Sequence, residues 1–161
     1  MKKSANNYAF IDSQNLNLSI REQGWALDYK KFRIYLKDVF EVTKAYLFIG
    51  YIETNQALYK YLQDAGYTLI FKPTLQLSNG RVKGNVDAEL VLHTMIEFDN
   101  YERAVIVTGD GDFHCLVDYL IQQGKLAKLV IPNQRKFSSL YRKLMTHIIF
   151  LNNMRSKLGQ K

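Results

Sequence analysis

The chain has 161 residues, of which 47% are hydrophobic and 23% charged, and its formal net charge is +7. This length predicts one domain with its own hydrophobic core, so the fold needs no disulfides. The single cysteine, Cys115, has no thiol partner, so we expect it to be a small core residue in a protein of the reducing cytoplasm. The first apolar run stops at Asp12, too early for a signal peptide or membrane span, and we therefore expect a soluble protein with no membrane partner.

The charges are distributed unevenly along the chain. The first 118 residues carry 13 of the 22 bases and all 15 acids. The remaining bases are Lys125, Lys128, Arg135, Lys136, Arg142, Lys143, Arg155, Lys157 and Lys161. A weakly acidic body with a basic end is typical of a protein that binds a phosphate backbone beside a metal site. A basic surface that only keeps the protein in solution is the alternative.

The first predicted elements are a strand, a helix and a second strand. Residues 8–11 form a short apolar strand that ends at Asp12, and residues 13–15 are predicted to be a polar turn. Asp28 is predicted to cap a helix with one apolar face. Residues 44–52, KAYLFIGYI, are apolar throughout and predict a strand.

A second helix and a third strand follow. Thr54 is predicted to cap this helix, with Leu58, Tyr61 and Leu62 facing inward. Residues 67–71 then predict a strand. Because a helix connects each strand to the next, the strands are expected to be parallel.

The middle of the chain departs from this alternation and then resumes it. Residues 74–83 contain Asn79-Gly80, which favours a tight turn, so this stretch is predicted to be an exposed loop or a hairpin. The next helix has Asp87 in its first turn. Residues 104–107, AVIV, predict a strand covered on both faces, and helical spacing of apolar residues begins at Asp112.

The remaining elements complete an α/β fold. Residues 126–131 and 147–151 predict strands, and residues 137–145 predict a helix between them. The order predicts a single-domain, three-layer α/β/α sandwich with a mainly parallel central sheet over residues 1–151. Residues 152–161 are predicted to be a loose, basic C-terminal tail.

Four aspartates fall where a parallel sheet gathers ligands. Asp12 and Asp110 follow strands, Asp87 lies in a first helical turn, and Asp112 is two residues beyond Asp110. In a doubly wound sheet these positions reach one crevice at the carboxyl ends of the strands. Carboxylates without a histidine or cysteine cluster select Mg²⁺ or Mn²⁺, which bind phosphate oxygens and acidify water. The pattern therefore predicts phosphodiester hydrolysis.

The alternative for these aspartates is helix capping. Asp112 by itself is a common type of cap, and Asp87 is favoured by the helix dipole. Asp110 is harder to explain in this way, because one cap suffices and a second unpaired carboxylate nearby is repulsive.

Three segments carry a family resemblance. They are AFIDSQNL at residues 9–16, KGNVDAELVL at residues 83–92 and VTGDGDFHCLVDYLIQQGK at residues 107–125. In their order and separation they resemble the NYN domain family of PIN-like nucleases, including its LabA-like branch, over about residues 7–151. The resemblance implies a PIN-like fold and a Mg²⁺- or Mn²⁺-dependent ribonuclease site. By position it implies a metal cluster and a site-lining asparagine, formed by Asp12, Asp87, Asp110, Asp112 and Asn15.

One position departs from the family pattern. Many members have an acid six residues after the Asp87 equivalent, and this chain has His93 there. The histidine either weakens the metal site or is a helix-face residue with no chemical role.

Two pairs of basic residues are predicted to bind nucleic acid. Arg81 and Lys83 lie just before the Asp87 turn. Both could reach a phosphate, Arg81 through two parallel hydrogen bonds and Lys83 as a point charge. Solvated loop charges explain this pair equally well. Arg135 and Lys136 follow the strand at 126–131, on the edge where the acids gather, and are the better candidates for positioning phosphates.

The residues and the resemblance together predict a metal-dependent nuclease that hydrolyses phosphodiester bonds in RNA. The alternative is a non-catalytic RNA-binding or regulatory module on a PIN-like fold. A phosphohydrolase of the haloacid dehalogenase type is disfavoured, because it needs an acid two residues after Asp12 and this chain has Gln14 there, after Ser13. The sequence leaves open RNA against DNA as substrate, and whether the chain forms a homo-oligomer.

Overall fold

The structure, a computed structural model, describes residues 5–73, 75–76, 82–83 and 86–161, with the backbone alone at 73, 75–76 and 82–83. Eight strands lie in this part of the chain. They are β1 (Asn7–Asp12), β2 (Val42–Tyr51), β3 (Tyr67–Pro73), β4 (Leu75–Gln76), β5 (Val82–Lys83), β6 (Ala104–Val107), β7 (Leu126–Ile131) and β8 (Ile148–Phe150). Six of them form one sheet in the order β3-β2-β1-β6-β7-β8, and every neighbouring pair is parallel. The antiparallel pair β4–β5 matches the predicted hairpin, whose Asn79-Gly80 lies outside the described residues.

Helices cover both faces of the sheet. The α-helices are α1 (Ser13–Arg21), α2 (Tyr29–Phe40), α3 (Gln56–Asp64), α4 (Asp87–Ile96), α5 (His114–Gln122) and α6 (Arg155–Leu158). The 3₁₀ segments are Glu53–Asn55, Gly111–Phe113 and Ser139–His147. One core cluster joins one face of the sheet to α1, α2, α3 and α6, and a second joins the other face to α4, α5 and Tyr141. These layers confirm the predicted α/β/α sandwich.

The order in which the chain adds strands to the sheet reverses between β1 and β6. The chain adds β2 and β3 on one side of β1, returns through α4, and adds β6, β7 and β8 on the other side. Ile11 of β1 pairs with Val107 of β6, so these neighbouring strands end at the same level. Such a switch point creates a crevice at the carboxyl ends of the strands, because the following helices leave toward opposite faces.

Residues 13–15 are the first turn of α1, so the predicted polar turn is wrong. The carboxylate of Asp12 accepts a hydrogen bond from the Asn15 N–H at 3.2 Å and caps the helix. Leu16 and Ile20, four residues apart, are fully buried and hold α1 against the sheet. That spacing was the available signal of a helix.

The predicted start and inward face of α3 are also wrong in part. A 3₁₀ turn precedes α3, and Thr54 caps neither element. Tyr59 and Leu62 are buried, whereas Leu58 is 41% exposed and Tyr61 is 43% exposed. The Tyr59 hydroxyl accepts a hydrogen bond from the Ile52 N–H at 2.8 Å, which turns Tyr59 inward in place of its neighbours.

The last ten residues are packed, not loose. They include α6, whose Leu158 is 1% exposed and belongs to the core around α2. The Asp28 N–H donates to the Leu158 carbonyl at 2.8 Å, and the Lys31 ammonium donates to the Gly159 carbonyl at 3.1 Å. Leu158, together with the partly buried Met154 that packs against the same core, therefore anchors a segment that is mostly polar.

Two smaller expectations also differ from the structure. The helix predicted at residues 137–145 is the 3₁₀ segment Ser139–His147, interrupted by a non-helical backbone at Leu144. Cys115 is exposed on α5 and is not a core residue.

In the described part of the chain no helix is long and apolar enough to cross a membrane.

Candidate metal centre

Three aspartates converge at the switch point of the sheet. Asp12 ends β1, Asp87 begins α4, and Asp110 follows β6. Each offers one carboxylate oxygen, and these three oxygens lie within 4.8 Å of one another. This spacing allows one Mg²⁺ or Mn²⁺ ion to be held among the three carboxylates, because both ions prefer oxygen ligands. We call this group the acid cluster.

Asp12 is the most enclosed member of the acid cluster, with 5% of its surface exposed. Its carboxylate accepts hydrogen bonds from the Asn15 N–H at 3.2 Å and the Thr108 hydroxyl at 3.1 Å. The pKa of Asp12 is raised from 3.8 to about 6, mainly by burial. The two hydrogen bonds oppose this shift, and the nearby charges of Asp87 and Asp110 add to it. At neutral pH the protein thus holds a buried negative charge that a cation would stabilise.

The loop that carries Asp110 is held by hydrogen bonds on both sides. The Asp110 N–H donates to the Thr108 hydroxyl at 3.1 Å, and the Asp110 carboxylate accepts from the Asp112 N–H at 2.9 Å. The buried Tyr141 hydroxyl donates to the Asp110 carbonyl at 2.5 Å. Burial, followed by the charge of Asp110, raises the pKa of Tyr141, so this hydroxyl remains a donor at neutral pH.

Asn15 connects α1 to the acidic loop. Its side-chain oxygen accepts a hydrogen bond from the Gly109 N–H at 2.8 Å, while its own N–H donates to Asp12. The asparagine therefore lies beside the acid cluster, and its amide oxygen already has a partner. This geometry fits a residue that positions the aspartates.

Asp112 and His93 lie outside the acid cluster. The Asp112 side chain is exposed, and the loop uses its backbone N–H instead of its carboxylate. The His93 ring centroid lies 5.7 Å from that of Phe48 and 6.5 Å from that of Tyr46. Since His93 packs on the aromatic rings of β2, the structure favours a helix-face residue over an altered metal ligand.

Sequence reasoning missed two residues that shape the site. Thr108 is fully buried and bonds both Asp12 and the Asp110 backbone. Its position at the end of the apolar run before Asp110 was a usable signal. Tyr141 lies 31 residues from Asp110 in sequence, and nothing in the local pattern indicates their contact.

The predicted nucleic-acid-binding residues differ in their surroundings. Arg135 and Lys136 are exposed in the loop after β7, and the Ser138 N–H in that loop donates to the Gly109 carbonyl at 3.0 Å. Lys136 also lies 3.4 Å from an exposed carboxylate oxygen of Glu22. Arg81 and the side chain of Lys83 lie outside the described residues.

A cleft with a volume of about 530 Å³ adjoins this loop, and we call it the basic cleft. Its charged residues are Arg135, Lys136, Arg155 and Glu22, and Trp25 contributes its one aromatic ring. Not every basic residue after position 118, where the chain has no acids, is available to a ligand. The Lys125 ammonium donates to the carbonyls of Phe98 and Tyr101 and lies over both rings.

The donor set of the acid cluster fits a hard divalent cation. It consists of three carboxylates, one of them buried and with a raised pKa. Asp12, Asp87 and Asp110 would hold the ion, because oxygen ligands of this kind select Mg²⁺ or Mn²⁺ over softer metals.

Comparisons with known proteins agree with this fold. The family model of the NYN domain matches residues 8–152. The Low amplitude and bright protein LabA of Synechococcus elongatus is 25% identical over 157 residues, covering 91% of this chain and 84% of that protein. A crystal structure of a protein of unknown function from Vibrio parahaemolyticus shares the fold, with a TM-score of 0.78, 21% identity and 99% of each chain covered. Because the family model spans nearly the whole chain, the protein belongs to the NYN domain family of PIN-like nucleases.

Proposed function

We propose that this protein is a metal-dependent ribonuclease that hydrolyses phosphodiester bonds through Mg²⁺ or Mn²⁺ held by Asp12, Asp87 and Asp110. The observation that carries the proposal is the convergence of three carboxylate oxygens within 4.8 Å at the switch point of the sheet. A bound cation would supply Lewis-acid chemistry there, by acidifying a water and neutralising charge on phosphate oxygens.

The protein's own part is to hold the carboxylates in place. Asp12 is fixed by Thr108 and Asn15, so it needs little rearrangement when substrate binds. Two helix N-termini lie beside the acid cluster, because Asp12 caps α1 and Asp87 begins α4. Their partial positive charge favours the phosphate of the substrate at this position.

Asp112 and Asn15 are assigned supporting parts. The Asp112 N–H fixes the Asp110 carboxylate, and the exposed Asp112 side chain adds negative charge at the rim of the site. Asn15 keeps the Gly109 backbone against α1. We therefore expect neither residue to be as important for cleavage as the three members of the acid cluster.

Nucleic acid is the substrate class that best fits the surroundings of the acid cluster. Arg135 and Lys136 lie in a loop hydrogen-bonded to the acidic loop, where they could contact phosphates on either side of the bond to be cleaved. The NYN domain supports RNA as the polymer.

The test is cleavage of labelled single-stranded and duplex RNA and DNA by purified protein, in Mg²⁺, Mn²⁺ or EDTA. We expect cleavage of RNA with either metal and none in EDTA. Binding of RNA without cleavage in any metal would contradict the proposal and favour a non-catalytic RNA-binding module.

A further inference from the structure

A second cleft, with a volume of about 500 Å³, adjoins the acid cluster, and we call it the neutral cleft. It exists because the strands of the sheet end at different levels. Asp12, the last residue of β1, pairs with Phe48, and β2 continues beside β3 as far as Tyr51. Residues 49–51 therefore have no strand beside them on the β1 side, and Ile49 and Gly50 line the cleft there.

The neutral cleft adjoins the acid cluster along two segments of the chain. Ser13 lines the cleft and directly follows Asp12. Val86 also lines it and directly precedes Asp87. A group bound in the cleft would therefore lie one residue away from two of the three aspartates.

The chemistry of the neutral cleft differs from that of the acid cluster. Its described lining contains no acid and one base, Arg21. Four amide side chains and two aromatic rings contribute to it, from Gln14, Asn17, Asn55, Gln160, Tyr29 and Tyr61. Phe48 also lines the cleft, but its side chain is fully buried in the core on the other face of the sheet. Ile52, Leu58 and Tyr61, at 42%, 41% and 43% exposure, add apolar surface that no other described part of the chain covers.

This combination fits a nucleobase. A base is flat and uncharged, stacks on aromatic side chains and offers donors and acceptors at its edges that amide groups recognise. A cationic ligand would find no carboxylate in the lining, and an aliphatic chain would leave the amides without partners. The volume also lies within the range of roughly 300–1,000 Å³ that small-molecule sites have.

We propose that the neutral cleft binds the base of a nucleotide next to the phosphodiester bond that is cleaved, and that the substrate is therefore an unpaired strand. The inference rests on the proposed nuclease function and deepens it. A paired base cannot enter a cleft of this kind without leaving its helix. Arg21, at the end of α1, would contact a flanking phosphate.

Tyr61 is the side chain that best tests the base site. It is half exposed, and it makes no hydrogen bond to the described residues, so Tyr61→Ala should fold normally. Tyr29 is less suitable, because its hydroxyl bonds Ser13 and its carbonyl accepts from the Tyr67 hydroxyl at 2.6 Å. Tyr119, 41% exposed on α5 and absent from the lining of the cleft, provides a matched control.

The experiment compares two strands of equal length, a short single-stranded oligoribonucleotide and a base-free ribose-phosphate strand. Binding of each is measured by fluorescence anisotropy without metal, for the parent and the variants. Tyr61→Ala should weaken binding of the base-bearing strand by about 5- to 150-fold, the effect of losing one stacked base, and should not change binding of the base-free strand. Tyr61→Phe, which keeps the ring, should bind like the parent, as should Tyr119→Ala.

The outcomes separate this proposal from the nuclease proposal. If Tyr61→Ala affects both strands equally, or neither, the base site is wrong even if the protein cleaves RNA. If the base-dependent loss occurs and no metal supports cleavage, the base site stands and the nuclease function falls. If the parent does not discriminate between the strands, the neutral cleft holds no base.

Discussion

The basic cleft and the neutral cleft are alike in size and differ in chemistry. The basic cleft, of about 530 Å³, is formed by loops after β7 and β8 and carries three bases. The neutral cleft, of about 500 Å³, is formed where β2 extends beyond β1 and carries one base among rings and amides. Under the two proposals above, the basic cleft would contact the phosphate backbone and the neutral cleft would bind an unpaired base.

The largest expected effect comes from the acid cluster itself. Asp12→Asn, Asp87→Asn and Asp110→Asn should each lower cleavage on the order of 100- to 1,000-fold or more, because each removes a charged ligand from the acid cluster. Steady-state cleavage of labelled RNA in Mn²⁺ measures the loss.

Asp118 is the matched control for these variants. It lies on α5, outside the acid cluster, and its carboxylate accepts a hydrogen bond from Gln122 at 2.9 Å. Asp118→Asn should cleave like the parent, and Asp112→Asn should lose less activity than Asp110→Asn. Loss of activity in Asp118→Asn with normal activity in Asp110→Asn would contradict the assignment of the centre.

The next effect is the pH dependence of stability without metal. Because the pKa of Asp12 rises from 3.8 to about 6 on folding, the folded protein holds this proton more tightly than the unfolded chain. The resulting stabilisation is fully present below pH 3.8 and is lost as pH rises toward about 6. The loss amounts to about 3 kcal/mol, at 1.36 kcal/mol for each pKa unit.

Asp12→Asn should remove this part of the pH dependence. Urea unfolding of the parent and the variant in EDTA, between pH 4 and pH 7, measures the difference in free energy of unfolding. The parent should lose stability relative to the variant as pH rises. A constant difference would show that Asp12 is not strained by burial and by its neighbouring charges.

The smallest expected effect distinguishes the forces that act in the two clefts. Arg135→Ala combined with Lys136→Ala should flatten the dependence of log affinity on log salt by about one to two units, since each phosphate contact contributes roughly 0.7 to 0.9. Tyr61→Ala should lower affinity without changing this slope. Binding of single-stranded RNA at several salt concentrations measures both.

Lys37→Ala combined with Arg103→Ala is the control with the same change in charge. Both side chains are exposed near the amino ends of β2 and β6, away from the two clefts. This variant should keep the slope of the parent. An unchanged slope in the Arg135 and Lys136 variant would show that these two bases do not contact phosphates.

The acid cluster could be predicted from sequence because its positions follow from local patterns. An apolar run that ends in aspartate predicts a strand end, as for Asp12 and Asp110, and a parallel sheet brings such ends together. Asp112 has the same local signal, yet its place in the 3₁₀ turn Gly111–Phe113 leaves its side chain exposed. The two-residue spacing of Asp110 and Asp112 does not show which of the two carboxylates joins the acid cluster.

The features that sequence reasoning missed depend on contacts between distant segments. The neutral cleft requires β2 to extend beyond the end of β1. It also requires α3 to expose Leu58 and Tyr61, which the helical pattern alone predicts to be buried. The folding of the last ten residues depends on Leu158 reaching the core around α2. The clustering of bases toward the C-terminus was visible, but not the use of Lys125 as a structural residue.

The most direct test of the metal centre is thermal melting of the parent and Asp110→Asn in EDTA and in millimolar Mn²⁺. In EDTA the variant should melt at the same temperature as the parent or higher, because it loses a repulsive charge and keeps the acceptor for the Asp112 N–H. Mn²⁺ should raise the melting temperature of the parent much more than that of the variant. A variant that is less stable in EDTA, with neither protein responding to Mn²⁺, would show that Asp110 is only a helix cap and would contradict the metal centre.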